Sequence, residues 1–456
     1  MGGIFMKDRG VILTGVCLLL LLAAVHRYDI QGTEDGERET GISQAAAQAG
    51  GKKGIMEEAK LLAAGYDYDG AVSLLKKAPG YAESKEMQEA AAKYLARKED
   101  CRPADVEKIP HIFYHSLIAD TSRAFDGDSR EGAYNQVMTT VSEFTKIMEQ
   151  MYERGYVLVR LKDLAGEKTD GNRRTYMALE EILLPEGKKP YVLSVDDLSY
   201  YHYMDGDGFA SKIVLDGDGR PKCQYTAADG TVTVGDYDVV PLLDSFLREH
   251  PDGAYKGARG TIALTGYNGV LGYRTDTAYE TGENLDEDQK KFLEANPDFD
   301  YENEVQNARA VAEGLKKDGW EFASHTWGHL RAYSCSYQQM VEDTRKWKTR
   351  VAPIVGDTDV IIFAFGEDIG DWHPYTQENE KYRFLKSQGY RYFCNVDSNT
   401  SWVQITDEYL RQGRRNVDGY RMYYDMTEGT NKLSDLFQVE EVFDPARPVP
   451  VPPMGE

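Results

Sequence analysis

The sequence predicts an α/β fold built on seven parallel strands that can close into a barrel. Short apolar runs at 111–114, 156–160, 191–195, 261–264, 321–324, 360–365 and 392–396 read as strands. Helical patterns lie between them, such as Val141, Phe144, Ile147, Met148 and Met151, and Val305, Ala308, Val311 and Leu315. Each of these two patterns stops at a glycine, Gly155 or Gly319, just before the next strand, a common helix end. Alternation of this kind implies parallel neighbours, because no tight turn can join parallel strands and a crossover helix must.

The remaining chain divides around that core. Residues 10–25 carry no charge and are flanked by Lys7, Arg9 and Arg27. We read residues 1–30 as an uncleaved signal anchor, with the basic side cytoplasmic and the bulk of the chain outside the cell membrane. Residues 31–54 are polar and read as a linker. Residues 55–102 turn helical, with Met56, Ala59, Leu61 and Leu62, then Ala71, Leu74 and Leu75 after a break at Gly65 to Gly70. This tetratricopeptide-like segment serves as a spacer or, through residues 55–98, as a docking site for a protein partner. The barrel is expected over 103–434. Within it, residues 209–238 alternate and turn on Asp218-Gly219 and Asp229-Gly230, which indicates a β-hairpin insertion spanning 199–240. Residues 435–456 are proline-rich and read as a flexible tail.

Composition excludes several functions. Lys and Arg total 53 against 76 Asp and Glu, a net charge of -23 over 456 residues. Such a surface does not neutralise nucleic-acid phosphates. Apolar residues make up 41%, enough to bury a core, so a wholly disordered chain is excluded as well. Five cysteines without a CxxC pair form neither a disulfide scaffold nor a zinc knuckle.

Three groups carry chemistry, and all fall at expected C-terminal strand ends, where α/β barrels assemble active sites. His325 and His329 are spaced so that both imidazoles can reach one divalent cation, although packing histidines would share that spacing. Asp196 and Asp197 end an apolar strand, where two carboxylates are costly to desolvate unless a cation or proton compensates. His115 directly follows the first strand. Two histidines and one aspartate leave positions open for water, a catalytic arrangement more than a structural one.

At these residues the chain resembles the NodB-like polysaccharide deacetylases, carbohydrate esterase family four, whose fold is a distorted (β/α)7 barrel. Ser194-Val195-Asp196-Asp197 is similar to their first motif, and His325-Thr326-Trp327-Gly328-His329 matches their second in full. The stretch from Phe144 through Gly155-Tyr156 echoes the family pattern that precedes them. The resemblance spans about residues 108 to 425 and implies Asp197, His325 and His329 as metal ligands and Asp196 as general base. The third motif survives as Ile362-Phe363-Ala364-Phe365-Gly366, with Phe365 offering its backbone N–H to an oxyanion. Its arginine is replaced by Ile362, and whether Arg414 or Arg415 takes over stays open. No histidine follows His373, so the C-terminal histidine motif is absent. In the permuted branch, resembling poly-N-acetylglucosamine deacetylases, that histidine sits on the first strand. Tyr114-His115 fits this arrangement and makes His115 the candidate general acid.

The expected function is therefore metal-dependent removal of N-acetyl groups from an extracellular or cell-wall polysaccharide containing N-acetylglucosamine. The cofactor is a divalent cation: zinc first, with cobalt, nickel or iron suiting the same donors. Tyr200, Trp327 and Trp372 are candidate sugar-binding residues, with Tyr201, Tyr203 and Tyr267 nearby. Two alternatives share the sequence. One is a degenerate glycan-binding or scaffold protein at the cell surface, favoured by the lost arginine and the absent C-terminal histidine motif. The other is a different metal hydrolase with the same ligands.

Overall fold

The computed structural model describes residues 51–454. The anchor expected over 1–30 and most of the linker expected over 31–54 lie outside the described residues. Among the described residues no helix is long and apolar enough to cross a membrane.

Seven parallel strands form the barrel: β1 (His111–Tyr114), β2 (Lys189–Asp196), β3 (Thr261–Leu264), β4 (Glu321–Ser324), β5 (Val360–Ile362), β6 (Tyr392–Val396) and β7 (Leu410–Asn416). Order around the barrel follows order in the chain. β1 pairs with β2, and so on to β7, which closes the ring by pairing Arg414 with His111, Arg415 with Ile112 and Asn416 with Phe113.

Strand membership differs from expectation at one place. The strand at Tyr156–Leu158 is not a stave; it pairs with Lys189 to Tyr191 at the start of the long β2, outside the ring. The seventh stave is instead β7, whose sequence LRQGRRN contains a single large apolar residue. It escapes a hydrophobicity search because its inward face is polar.

Helices cover the outside. The helix Val141–Glu153 opens with a reciprocal cap between Thr140 and Glu143 and buries Phe144, Ile147, Met148 and Met151. The helix Tyr301–Asp318 buries Val305, Ala308, Val311, Ala312 and Leu315 and ends at Gly319, whose φ of 101° suits only glycine well. Ile112, Tyr114, Leu193 and Val195 point out to this layer. Val192, Ala263, Ala323, Ile362, Cys394 and Leu410 fall in a different cluster, as strand alternation requires of inward neighbours.

The insertion has three antiparallel strands, Lys212–Leu215, Pro221–Thr226 and Val232–Gly235, one more than the expected hairpin. A second hairpin, Ala165–Thr169 with Thr175–Leu179, was not expected. Three helices, Gly51–Ala64, Tyr68–Lys77 and Lys85–Glu99, precede the barrel. They dock on the loop that leads into β3: the Lys256 amide donates to the Gly65 carbonyl at 2.7 Å and the Tyr66 hydroxyl to the Asp252 carbonyl at 2.8 Å. The helix faces carrying Ile55, Ala59, Leu75 and Tyr94 join one apolar cluster with Val192 and Leu410 of the barrel.

The tail is a correction. From Asp435 it was expected to be flexible, yet it forms a short helix at Val439–Val442 and packs against the first barrel helices. The Arg447 guanidinium is fully buried and donates to both Glu143 oxygens, at 2.5 and 2.6 Å, and to the carbonyls of Asn135 and Met138. Arg447 and Val451, both buried, anchor this segment. Cys101, Cys223, Cys335 and Cys394 all carry free thiols.

Candidate active site

The chain turns sharply where the carboxylates meet. Asp196 ends β2, and Asp197 adopts a left-handed backbone with φ of 58°. Strand alternation would otherwise send the two side chains to opposite faces; the left-handed residue lets both point at the barrel mouth. Thr326 and His329 also have positive φ, 62° and 51°. Strained non-glycine backbone at three positions of one site is the pattern that functional constraint leaves.

Asp197, His325 and His329 bring one ligand atom each to within 4.8 Å of one another. His329 Nε2 lies 3.3 Å and His325 Nε2 3.9 Å from Asp197 Oδ2. The other Asp197 oxygen accepts a hydrogen bond from the Tyr201 hydroxyl at 2.6 Å. His325 Nδ1 lies 2.8 Å from the Ile362 carbonyl, which can only accept, so the proton sits on Nδ1 and the Nε2 lone pair faces the aspartates. An anionic oxygen and two imidazole nitrogens, each oriented from behind, suit a divalent cation with open positions.

Electrostatics agree with that fit. Burial alone would raise the Asp197 carboxyl, but His325 and His329 overcome it and hold it well below the usual range. Burial would lower His329, yet the hydrogen bond and charge of Asp197 raise it above its usual value. The pocket attracts positive charge, and a proton on His329 competes with a cation for it. His325 is held low, chiefly by burial, against the pull of both aspartates.

Asp196 has a different partner. The Arg414 guanidinium forks onto it, with one nitrogen donating to Oδ1 at 2.7 Å and the other to Oδ2 at 2.9 Å. Both side chains are buried. Burial would raise this carboxyl too, and Arg414, seconded by His325, brings it below the usual range. Asp196 is thus ionised and tied to an arginine, while Asp197 faces the histidines. The sequence left open whether Arg414 or Arg415 would replace the lost arginine. Arg414 is the one that pairs with Asp196; Arg415 points outward and pairs with Asp435 at 2.7 Å.

His115 follows β1 and donates from Nδ1 to the Val137 carbonyl at 3.1 Å, which leaves Nε2 unprotonated when the ring is neutral. Its charge acts on both Asp196 and Asp197. Phe365 stands at the rim with φ of 57°, its ring 4.2 Å from that of His329 and 3.9 Å from the Arg331 guanidinium.

The aromatic candidates separate. Tyr200 is buried, with its hydroxyl donating to Asp238 at 2.7 Å, so it offers no face to a sugar. Trp327 is turned into the helical layer, against the outer core and flanked by Lys346 and Arg350. Tyr200, three residues past Asp197, and Trp327, between the two histidines, thus both pack with the outer core. Trp372 is 76% exposed and lies with Trp402 in a cavity of about 610 Å³. Tyr201, grouped in the sequence with the sugar-stacking aromatics, holds Asp197 through its hydroxyl, and its ring stacks with Tyr203 and Tyr267 at 5.4 and 5.0 Å.

No family model and no curated protein matches the chain. Among solved structures it is similar to the Streptococcus pyogenes deacetylase PplD in complex with acetate, at 13% identity and a TM-score of 0.36. That alignment covers 70% of this chain and 94% of the other.

Proposed function

We propose that the protein is a metal-dependent hydrolase that removes N-acetyl groups from a polysaccharide containing N-acetylglucosamine. The observation that carries this reading is the division of labour between adjacent aspartates: Asp197 faces two histidines and Asp196 is held apart by Arg414. A divalent cation bound by Asp197, His325 and His329 would polarise the acyl carbonyl and acidify a water, so that a weak carboxylate base suffices. Asp196 is the base that takes a proton from the attacking water as the water oxygen bonds to the acetamide carbon. The Phe365 amide is assigned to the developing oxyanion. His115 enters as imidazolium and donates its Nε2 proton to the nitrogen as the C–N bond breaks, releasing acetate and a free amine. The same reading keeps the permuted-branch role of His115 and the extracellular placement inferred from residues 1–30.

The non-catalytic alternative drew on the missing family arginine and the absent C-terminal histidine motif; Arg414 beside Asp196 speaks against the first, and the second rests on the role proposed for His115. The test is acetate release from chito-oligosaccharides and from peptidoglycan by the full chain, with metal content measured on the same preparation. Release that requires one bound divalent cation and disappears in Asp196→Asn is the expected result. A chain that binds no cation, or an Asp196→Asn variant with unchanged release, overturns the proposal.

A further inference from the structure

We infer that Gln412, His111 and Ser194 form a directed hydrogen-bond relay inside the barrel that positions Arg414 against Asp196. Its kinetic consequence rests on the proposed role of Asp196 as base; its geometry does not.

Strand alternation turns His111 of β1, Ser194 and Asp196 of β2, and Gln412 and Arg414 of β7 into the barrel interior, and each is buried. Donor and acceptor counts then fix the direction of every bond. Gln412 Nε2 donates to the Ile109 carbonyl at 2.9 Å, so the amide cannot be flipped without setting oxygen against oxygen. Its Oε1 therefore faces His111 Nδ1 at 3.1 Å, and an amide oxygen only accepts. The histidine proton must sit on Nδ1. His111 Nε2, 2.9 Å from Ser194 Oγ, is left as an acceptor, and Ser194 donates to it. The Ser194 oxygen, its own proton committed, accepts from an Arg414 nitrogen at 3.1 Å. That same nitrogen donates to Asp196.

The alternative, a charged imidazolium, fails on two counts. It would set a second buried cation beside Arg414, and it would leave the Ser194 proton without the acceptor it faces. Burial, then the Arg414 charge, hold His111 down at about 3. The Phe113 ring, 4.2 Å from the guanidinium, closes its other side. Ser194 therefore meets the guanidinium from behind with an oxygen whose lone pairs are available, and the fork stays aligned with both Asp196 oxygens. These are positioning residues: none touches Asp197, His325 or His329 in the hydrogen bonds described.

Two measurements test this. Long-range proton–nitrogen NMR on the full, nitrogen-15-labelled chain, with His111 assigned by its absence in His111→Gln, reads the tautomer directly. A neutral ring protonated on Nδ1 is expected. A ring protonated on Nε2, or a charged one at pH 7, overturns the relay whether or not the chain turns over substrate. Kinetically, Ser194→Ala should lower kcat by about ten- to a hundredfold, the usual cost of losing a group behind a catalytic side chain, with KM changed by less than about twofold. Ser194→Thr, which keeps the hydroxyl, should recover most of that loss. Equal kcat in Ser194→Ala and wild type, or a Thr variant no better than Ala, would also overturn it.

Discussion

Arg414 and Asp196 show how much rests on one buried pair. Their bond joins residues 218 positions apart, with both side chains 3% exposed or less. Removing one partner of such a pair leaves an unpaired charge in the barrel, which typically costs about 3–5 kcal/mol. Arg414→Met should therefore lower the unfolding free energy in urea by that order and abolish acetate release, because burial would raise the Asp196 carboxyl once the Arg414 charge is gone. The double variant Asp196→Asn/Arg414→Met should regain most of the stability and none of the activity. A single Arg414→Met variant with the wild-type midpoint would contradict the pairing. The ligand residues make a separate prediction. Added zinc or cobalt should raise the melting temperature of wild type, since a ligand that binds only the folded state stabilises it, and should leave that of His325→Ala unchanged.

At the scale of elements, the loop between β2 and the helix Val239–Glu249 turns on Asp238. This fully buried carboxylate accepts from the Tyr200 hydroxyl, the Leu117 amide and the Val239 amide, at 2.7, 3.0 and 2.7 Å. No cation is among the causes of its shift, so burial wins over these bonds and raises it to about 6. A folded-state value above the unfolded one means that the folded chain holds the proton longer. The associated stability is complete below about pH 4 and is lost as pH rises through about 6. Two units correspond to about 3 kcal/mol. Urea unfolding from pH 4 to 6.5 should show wild type losing up to that amount relative to Asp238→Asn; a constant difference would sink the assignment. Elements also show what was legible. The strands His111–Tyr114, Thr261–Leu264, Glu321–Ser324 and Tyr392–Val396 were read at their observed bounds, because staves covered by helices are apolar enough to stand out. The stave Leu410–Asn416 was not, because its inward residues carry the polar interior. The site divides in the same way. Asp196, Asp197, His325 and His329 sit in two short motifs, whereas Arg414 reaches Asp196 only through barrel closure.

At the scale of the whole molecule, the three leading helices change from a spacer into part of the barrel's foundation. Sequence periodicity revealed an apolar face on residues 55–98 but not what covers it. The structure buries that face on the chain itself: Ile55, Ala59, Ala63, Val72, Leu75, Met87 and Tyr94 share a cluster with Val157, Leu161, Ile182 and Val192. Two backbone-directed bonds, from Lys256 to Gly65 and from Tyr66 to Asp252, fix the docking beside the entry to β3. Burying one large aliphatic side chain contributes about 1.5–3 kcal/mol, so uncovering several of them at once is costly. A chain cut to residues 103–456 would expose the barrel half of this cluster. We expect that fragment to melt at least 10 °C below the full chain, or to aggregate, and to bind a hydrophobic dye. Tyr66→Phe in the full chain, which removes one bond without opening the cluster, should cost only about 1 kcal/mol. A 103–456 fragment as stable as the full chain would return the helices to the role of an independent spacer.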